Sequence, residues 1–351
     1  MPAHAEPANA ASGNAQIVLA TRPVDLPGRA HVRIEPVDLP HLLADQVQVR
    51  VDYAALSPWQ GQRMKDFKNY TTPFQIGEVI DCDVLGTVVA RGPELTAGFE
   101  VGQTVTGRLG WRRYAAASPA ALQAVGGLDD PTPWLTALSS PGLTAYTALD
   151  LFGRCLPGQT MVVTSAAGAV GGYAVQLGKL AGMTVIGIAG GPEKCAYVEQ
   201  AHGADRCLDH RAADFAEQLA ETLVDGAHQV FDTTGGPITD HVYEHLAKHA
   251  RVLIVGRTAS NNSATPASDP VNMRQLWARE ATVHGFSRYS YPERWAFARD
   301  RMFALCQAGK IRASHHVVKG FENTPDTLGA MLSGRFFGKV LVQYHDATGP
   351  L

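Results

Sequence analysis

Apolar and polar positions alternate from Val47 to Tyr53 (VQVRVDY), the period of a strand with one face buried. Gly86–Arg91 (GTVVAR) and Val101–Leu109 (VGQTVTGRL) follow, separated by turns that glycine and proline mark. Ordered sequence begins near Gln16 with QIVLATRP, so a compact β-rich domain is predicted up to about Pro131–Pro133. At Ser139–Leu149 (SSPGLTAYTAL) the pattern becomes helical, and strands then alternate with helices. The strands are Met161–Thr164, Thr184–Ala189, Arg206–Leu208, Gln229–Asp232, Val252–Gly256 and Thr282–Phe286, and Pro292–Ala308 reads as a further helix. That alternation predicts an α/β fold with a doubly wound parallel sheet of the Rossmann kind. A β-like pattern returns towards Gly338–Tyr344 (GKVLVQY), so the tail is expected to rejoin the first domain. The resulting division is a disordered tail (1–14), a discontinuous β-rich domain (15–134 and 312–351) and a Rossmann domain (135–311).

One stretch organises the second domain. Met161–Gly172 reads MVVTSAAGAVGG, a short apolar strand running into a turn of small residues. Val170, Ala174, Leu177 and Ala181 then recur at helical spacing. The turn is Ala166-x-Gly168-x-x-Gly171, a G-x-G-x-x-G pattern with alanine in first place. Gly168 would let backbone approach a pyrophosphate, and Gly171 would let the helix close on its strand. The N–H groups around Ala169 and Val170 would face the phosphate charge. Such a turn also serves plain strand–helix packing, but the second strand at Thr184–Ala189 completes a βαβ unit and favours a dinucleotide. An NAD site needs an acid at the end of that second strand. Here Gly190-Gly191-Pro192 stands there, with Lys194 just beyond to supply positive charge, so the expected cofactor is NADPH.

Composition narrows the function classes. The chain has 351 residues, 45% of them hydrophobic, enough for two cores, and a net charge of −3 argues against any broad nucleic-acid or membrane-surface role. The five cysteines (Cys82, Cys155, Cys195, Cys207, Cys306) form no C-x-x-C and fit a reducing compartment. The start is rich in Ala, Pro and Asn, without the basic and apolar runs of a signal peptide, so a cytoplasmic location is expected. His241, His245 and His249 stand at four-residue spacing and read as the polar face of a surface helix between two strands; His315 and His316 read as structural.

The motifs QIVLATRP, GEVIDCDVLGTVV, PGLTAYTAL, AAGAVGG, GIAGGPEK, FDTTGG and GFENTPDTLGAMLSGRFFGKVLV carry a resemblance from about Gln16 to Tyr344. The chain resembles the medium-chain dehydrogenase/reductases, and within them the zinc-independent NADPH-dependent alkenal/one reductases. That group includes prostaglandin, curcumin and plant double-bond reductases. The resemblance implies a GroES-like catalytic domain, a Rossmann domain, an active site in the cleft between them and a homodimer. It puts Lys194 on the 2′-phosphate and aligns Asp209-His210-Arg211 with an Asn-Tyr-Lys run beside that phosphate. It also aligns Thr233 with a cofactor-proximal asparagine, Val255–Asn261 (including Gly256) with the loop after the next strand, and Phe286, Ser287 and Arg288 with the segment beside the nicotinamide. Phe336 replaces a late cofactor-binding asparagine.

Zinc members need a cysteine, a His-Glu pair and a later ligand, plus four close cysteines for structural zinc. Ala54–Gln60 (AALSPWQ), Glu78–Gly86 (EVIDCDVLG) and the cysteine-free Arg91–Pro119 provide none of these, so no metal is expected. Without metal, the implied reaction sends hydride to the β-carbon of an enone or enal, while a hydrogen-bond donor stabilises the enolate oxygen and a proton reaches the α-carbon. The family's tyrosine donor is here Asn261, and its Asp-Pro-Tyr motif is Ser57-Pro58-Trp59. Neither Asn261 nor Trp59 can give up a proton. Ser57, Tyr70 and Tyr289 are candidates by position, beside the nicotinamide ribose hydroxyl or water. Reduction of a carbonyl or quinone, and an NADPH-binding protein with little turnover, are the alternatives.

Overall fold

The computed structural model describes residues 13–66, 72–95, 98–258 and 272–345. Tyr70 and Asn261 lie outside the described residues. The chain divides into two units: Met1–Pro131 with Val317–Arg335 and Val340–Leu351, and Thr132–His316 with Phe336–Lys339.

The first unit opens with a two-stranded antiparallel ribbon, β1 (Ala15–Leu19) and β2 (Val32–Pro36). Strand β3 (Val47–Ala55) leads into α1 (Pro58–Met64), followed by β4 (Asp83–Arg91), β5 (Thr104–Arg108), β6 (Tyr114–Ala117) and β7 (Leu122–Ala124). β3 explains the alternating pattern and its end. Val47, Val49 and Val51 point inward, but from Tyr53 to Ala55 every residue is buried. The pairing register with β4 shifts between Val51 and Tyr53. Beyond that shift β3 exchanges β6 as its neighbour for a late strand, so the half-buried pattern gives way to a fully covered one.

The second unit starts with α2 (Ser140–Phe152) and continues β8 (Thr160–Thr164), α3 (Ala169–Leu180), β9 (Thr184–Ala189), α4 (Pro192–His202), β10 (Arg206–Asp209), α5 (Phe215–Thr222) and β11 (Ala227–Asp232). It closes with α6 (Gly236–Glu244), β12 (Leu246–Ile254), α7 (Met273–Ala278), β13 (Thr282–Gly285) and α8 (Trp295–Gln307). The sheet order is β10-β9-β8-β11-β12-β13, every pair parallel. The chain winds outward from β8, returns beside it as β11, and winds outward again. This reversal places the topological switch between β8 and β11, where such sheets bind ligands at their carboxyl ends.

Three expectations need correction. The helical spacing of Val170, Leu177 and Ala181 does not mark the covered face of α3, because those residues are only half-buried, whereas Tyr173, Ala174 and Val175 are completely buried. α3 packs on the sheet, α2 and α4 together, so it is enclosed on most sides and has no single apolar stripe. The histidine row does not share a helix face. α6 stops at Glu244, and His249 sits in β12 at φ +61°, beside Glu280. The tail is not purely β-like: between β14 (His315–Lys319) and β15 (Lys339–Gln343) lies α9 (Thr324–Leu332). Pro325 and Asp326 in its first turn favour a helix start, and Leu332 packs over Gly61 of α1, where a Cβ would meet it at 2.7 Å.

His202, at the end of α4, is buried against Gly172 in the first turns of α3, and one ring nitrogen meets the Gln176 amide at 3.3 Å. Burial pushes its imidazole down to about 4. The unfolded chain therefore takes up this proton first, and stability falls as pH drops from the ordinary histidine value towards 4. His202→Phe is expected to flatten that decline by up to about 3 kcal/mol, read from urea denaturation at pH 7 and near pH 4. Parallel losses in the two proteins would remove His202 as the cause.

Candidate dinucleotide site

The carboxyl end of β8 turns through Ser165, which adopts φ +50°, and reaches Gly168, whose N–H donates to the Ser165 carbonyl at 2.9 Å. Gly171 is indispensable sterically: a Cβ there would stand 2.3 Å from the Ser165 carbonyl oxygen and 2.9 Å from its carbon. Only glycine lets the first turn of α3 close on the strand end. Gly168, Ala169 and Val170 remain partly exposed, and the first helical N–H groups lack intrahelical acceptors, so the turn can take an anion. A distant segment joins it, because the Gly338 N–H donates to the Ala167 carbonyl at 2.8 Å.

A basic edge forms beyond β9. Asp209, at the end of β10, accepts the N–H groups of Gly191 (2.8 Å) and Arg211 (2.9 Å). The Arg211 N–H, opposed by some burial, helps hold its carboxyl below the ordinary range. The turn folds the side chains of His210 and Arg211 across Gly190, where a Cβ would meet His210 Nε2 at 2.9 Å and Arg211 Nε at 3.0 Å. Lys194, in the first turn of α4, completes the group. Burial first, and then Arg211, lower the Lys194 ammonium; the same two causes lower the His210 imidazole. Cations held close enough to oppose each other's charge are suited to a doubly charged anion, which relieves that repulsion.

The end of β11 is built around one carboxylate. Asp232 is 1% exposed. It accepts the hydroxyls of Thr164 (2.7 Å) and Thr239 (2.8 Å) and the N–H groups of Thr234 (2.9 Å) and Gly235 (3.2 Å). Thr233 bonds back to β8: its N–H donates to Thr164 Oγ1 and its hydroxyl to the Thr164 carbonyl, at 2.9 and 3.1 Å. The Thr233 proton is thus committed within the sheet. Gly256 lies against the Thr233 backbone, and the Thr258 N–H donates to the Thr233 carbonyl at 3.0 Å. Gly168, Thr233 and Gly256 therefore come together along the carboxyl ends of β8, β11 and β12.

Beyond β13, Phe286 is buried and stacks with Tyr291 at 5.6 Å. Ser287 precedes a short turn of 3-10 helix in which Arg288 lies 4.6 Å from the rings of both Tyr289 and Trp295 and donates to Ser140 Oγ at 3.1 Å. Tyr289 is 55% exposed. Arg288 thus organises aromatic packing in its own unit. Phe336 packs on His316 (4.6 Å). In the first unit the Ser57 N–H donates to Gln60 Oε1 (2.6 Å), and the Gln60 amide reaches the Asp81 carbonyl at 3.0 Å. The Trp59 ring lies beneath Arg108, 4.6 Å from its guanidinium carbon, and beside Phe74. Among the described residues, no group of three or more His, Cys, Asp or Glu is placed to hold a metal ion.

Sequence reasoning placed Asp209 in the run beside the phosphate without a role of its own, and did not assign Asp232 or Phe337. An acid directly after a strand and two residues before Arg211 is the signal of an Asx turn, and FDTTGG carries a similar one. No local signal marks Phe337, because its partners lie far away in the chain.

A doubly wound sheet with this glycine turn, preceded by a β-rich unit, defines an oxidoreductase fold of the medium-chain dehydrogenase/reductase class. Two family models match: an N-terminal domain of oxidoreductase over residues 15–125 and a zinc-binding dehydrogenase over 169–304. The chain is 33% identical to a putative NADP-dependent oxidoreductase, YfmJ, of Bacillus subtilis over 95% of its length and 98% of the relative. It is 34% identical to the NADPH-dependent curcumin reductase of Escherichia coli over 94% and 96%. The crystal structure of CurA from Vibrio vulnificus in complex with NADPH superposes with a TM-score of 0.87 at 36% identity, covering 95% of this chain and 99% of that one. The chain belongs to the medium-chain dehydrogenase/reductase family that includes the curcumin and prostaglandin reductases.

Proposed function

We propose that the protein is an NADPH-dependent reductase that transfers hydride to the activated C=C bond of α,β-unsaturated ketones or aldehydes without a metal. The observation that carries the cofactor is the basic edge of Lys194, His210 and Arg211 across Gly190, where an NAD enzyme would have a carboxylate. The enone chemistry is supported by likeness over nearly the whole chain to proteins named curcumin reductase, prostaglandin reductase and 2-alkenal reductase.

When bound, NADPH supplies the hydride. The Gly168–Gly171 turn takes the pyrophosphate on the N–H groups of α3, and the basic edge takes the 2′-phosphate. Gly256, Thr233 and Phe286–Arg288 shape the nicotinamide side, Thr233 through its backbone because its hydroxyl already serves β8. Ser57, Trp59, Tyr70, Asn261 and Tyr289 are the proposed pocket residues. Trp59 and Asn261 offer N–H donors to a developing enolate oxygen without a proton to surrender, so the α-carbon is protonated by a hydroxyl or solvent. The reading includes a homodimer in the cytoplasm. No described helix is long and apolar enough to cross a membrane.

The test is product identity. Purified protein, NADPH and a panel of enones, matching ketones and quinones are combined, and each product is identified by mass and NMR. A saturated ketone is the expected result. An allylic alcohol would move the reaction to the carbonyl, and tight NADPH binding without turnover would make the protein a cofactor-binding relative.

A further inference from the structure

Phe336–Lys339 belong to the second unit, although the chain on either side belongs to the first. Two backbone bonds fix the segment: the Gly338 N–H to the Ala167 carbonyl at 2.8 Å, and the Lys339 N–H to the Ser314 carbonyl at 2.9 Å. Gly338 adopts φ +62°, and a Cβ there would stand 2.3 Å from Ser314 Oγ, so glycine is required for this close approach. The anchoring sets the course of the preceding residue. The Phe337 ring stacks on Tyr197 with centroids 5.1 Å apart, and Lys194 Nζ lies 5.9 Å from its centroid. Tyr197 is itself held, its hydroxyl 2.8 Å from that of Ser314. Lys194 and Tyr197 stand three residues apart in α4 and therefore share a face, which the Phe337 ring covers.

We propose that Phe337 is a positioning residue for NADPH, holding Lys194 where the 2′-phosphate is to be met. The inference rests on the cofactor reading above. A free lysine side chain loses much rotamer freedom on binding, and a ring face that already attracts the ammonium removes part of that loss. Lys194 Nζ lies over the face of the Phe337 ring, 5.9 Å from its centroid, while burial and then the nearby Arg211 lower its ammonium. Phe337 thus acts on cofactor choice through Lys194.

The test measures dissociation constants of NADPH and NADH by nucleotide fluorescence for wild type, Phe337→Leu, Phe337→Tyr, Lys194→Ala and the Phe337→Leu/Lys194→Ala double variant. Phe337→Leu keeps apolar volume and removes the ring face. It is expected to lower the preference for NADPH over NADH about twofold to fivefold, with NADH affinity unchanged and the melting temperature lowered by a few degrees at most through the lost stack on Tyr197. Phe337→Tyr should restore the preference. In the Lys194→Ala background, Phe337→Leu should change the preference no further. Equal weakening of both nucleotides would mean a merely structural ring, and a further fall in the double variant would mean an action independent of Lys194; either overturns the proposal. If Lys194→Ala lowers the preference and Phe337→Leu does not, this inference alone falls. If Lys194→Ala has no effect on it, the phosphate assignment falls and the inference with it.

Discussion

Lys194→Ala is expected to weaken NADPH binding about tenfold to a hundredfold, the equivalent of about 1.5–3 kcal/mol for a charge-assisted hydrogen bond, while NADH affinity hardly changes. The asymmetry follows from geometry. Lys194 shares its edge with Arg211 and His210, over Gly190, and in the proposed reading that edge meets the 2′-phosphate by which the two nucleotides differ. The His210 imidazole is already lowered, so at neutral pH it offers a hydrogen bond rather than a full charge, and Arg211 is the cation that survives the substitution. The difference between the nucleotides should shrink as salt is raised, because the phosphate term is screened and the rest is not. Titration of both nucleotides against wild type and variant checks this. Equal loss for NADPH and NADH would remove the 2′-phosphate from this edge.

Asp232→Ala should produce the largest loss of stability, about 3–5 kcal/mol, because two hydroxyls and two backbone N–H groups lose a buried acceptor together. For a domain of this size that corresponds to a fall in melting temperature of roughly 6–20 °C. Asp232→Asn keeps the shape but turns part of the acceptor into a donor facing donors, so it should fall in between. Thermal denaturation followed by circular dichroism is the measurement. A melting point for Asp232→Ala close to that of wild type would mean that these donors find other acceptors, and that FDTTGG owes nothing to the carboxylate.

Local periodicity and local chemistry are legible in the chain itself. The glycine turn, the strand after it and the missing acid at Gly190-Gly191 are all short-range features, and each states a requirement that nearby backbone must meet. The helical face of α3 is not legible in the same way. Val170 and Leu177 satisfy the spacing, yet enclosure by the sheet and two helices buries Tyr173 and Val175 instead. The row of His241, His245 and His249 fails for a related reason. Its spacing is helical, but β12 begins at Leu246 and pairs with β11 and β13, and sheet pairing outweighs local propensity. In the tail, the strand-like ends hide a helix whose stability comes partly from packing on α1, far away in sequence.

By itself, therefore, the sequence determined the α/β class, the glycine-rich turn between β8 and α3, NADPH as the cofactor and membership of the reductase family. Each of these rests on residues close together along the chain, or on motifs preserved as continuous runs. Only the tertiary structure decided which side chains surround them. It brought Arg211 and His210 across Gly190, closed four donors on Asp232, and set Phe337 beside Lys194. The physical reason is that each grouping depends on a partner distant in the chain: the end of β10 beside that of β9 for Arg211 and His210, Thr164 of β8 for Asp232, and the Gly338 anchoring for Phe337. No spacing within the chain encodes which distant segment will be the neighbour.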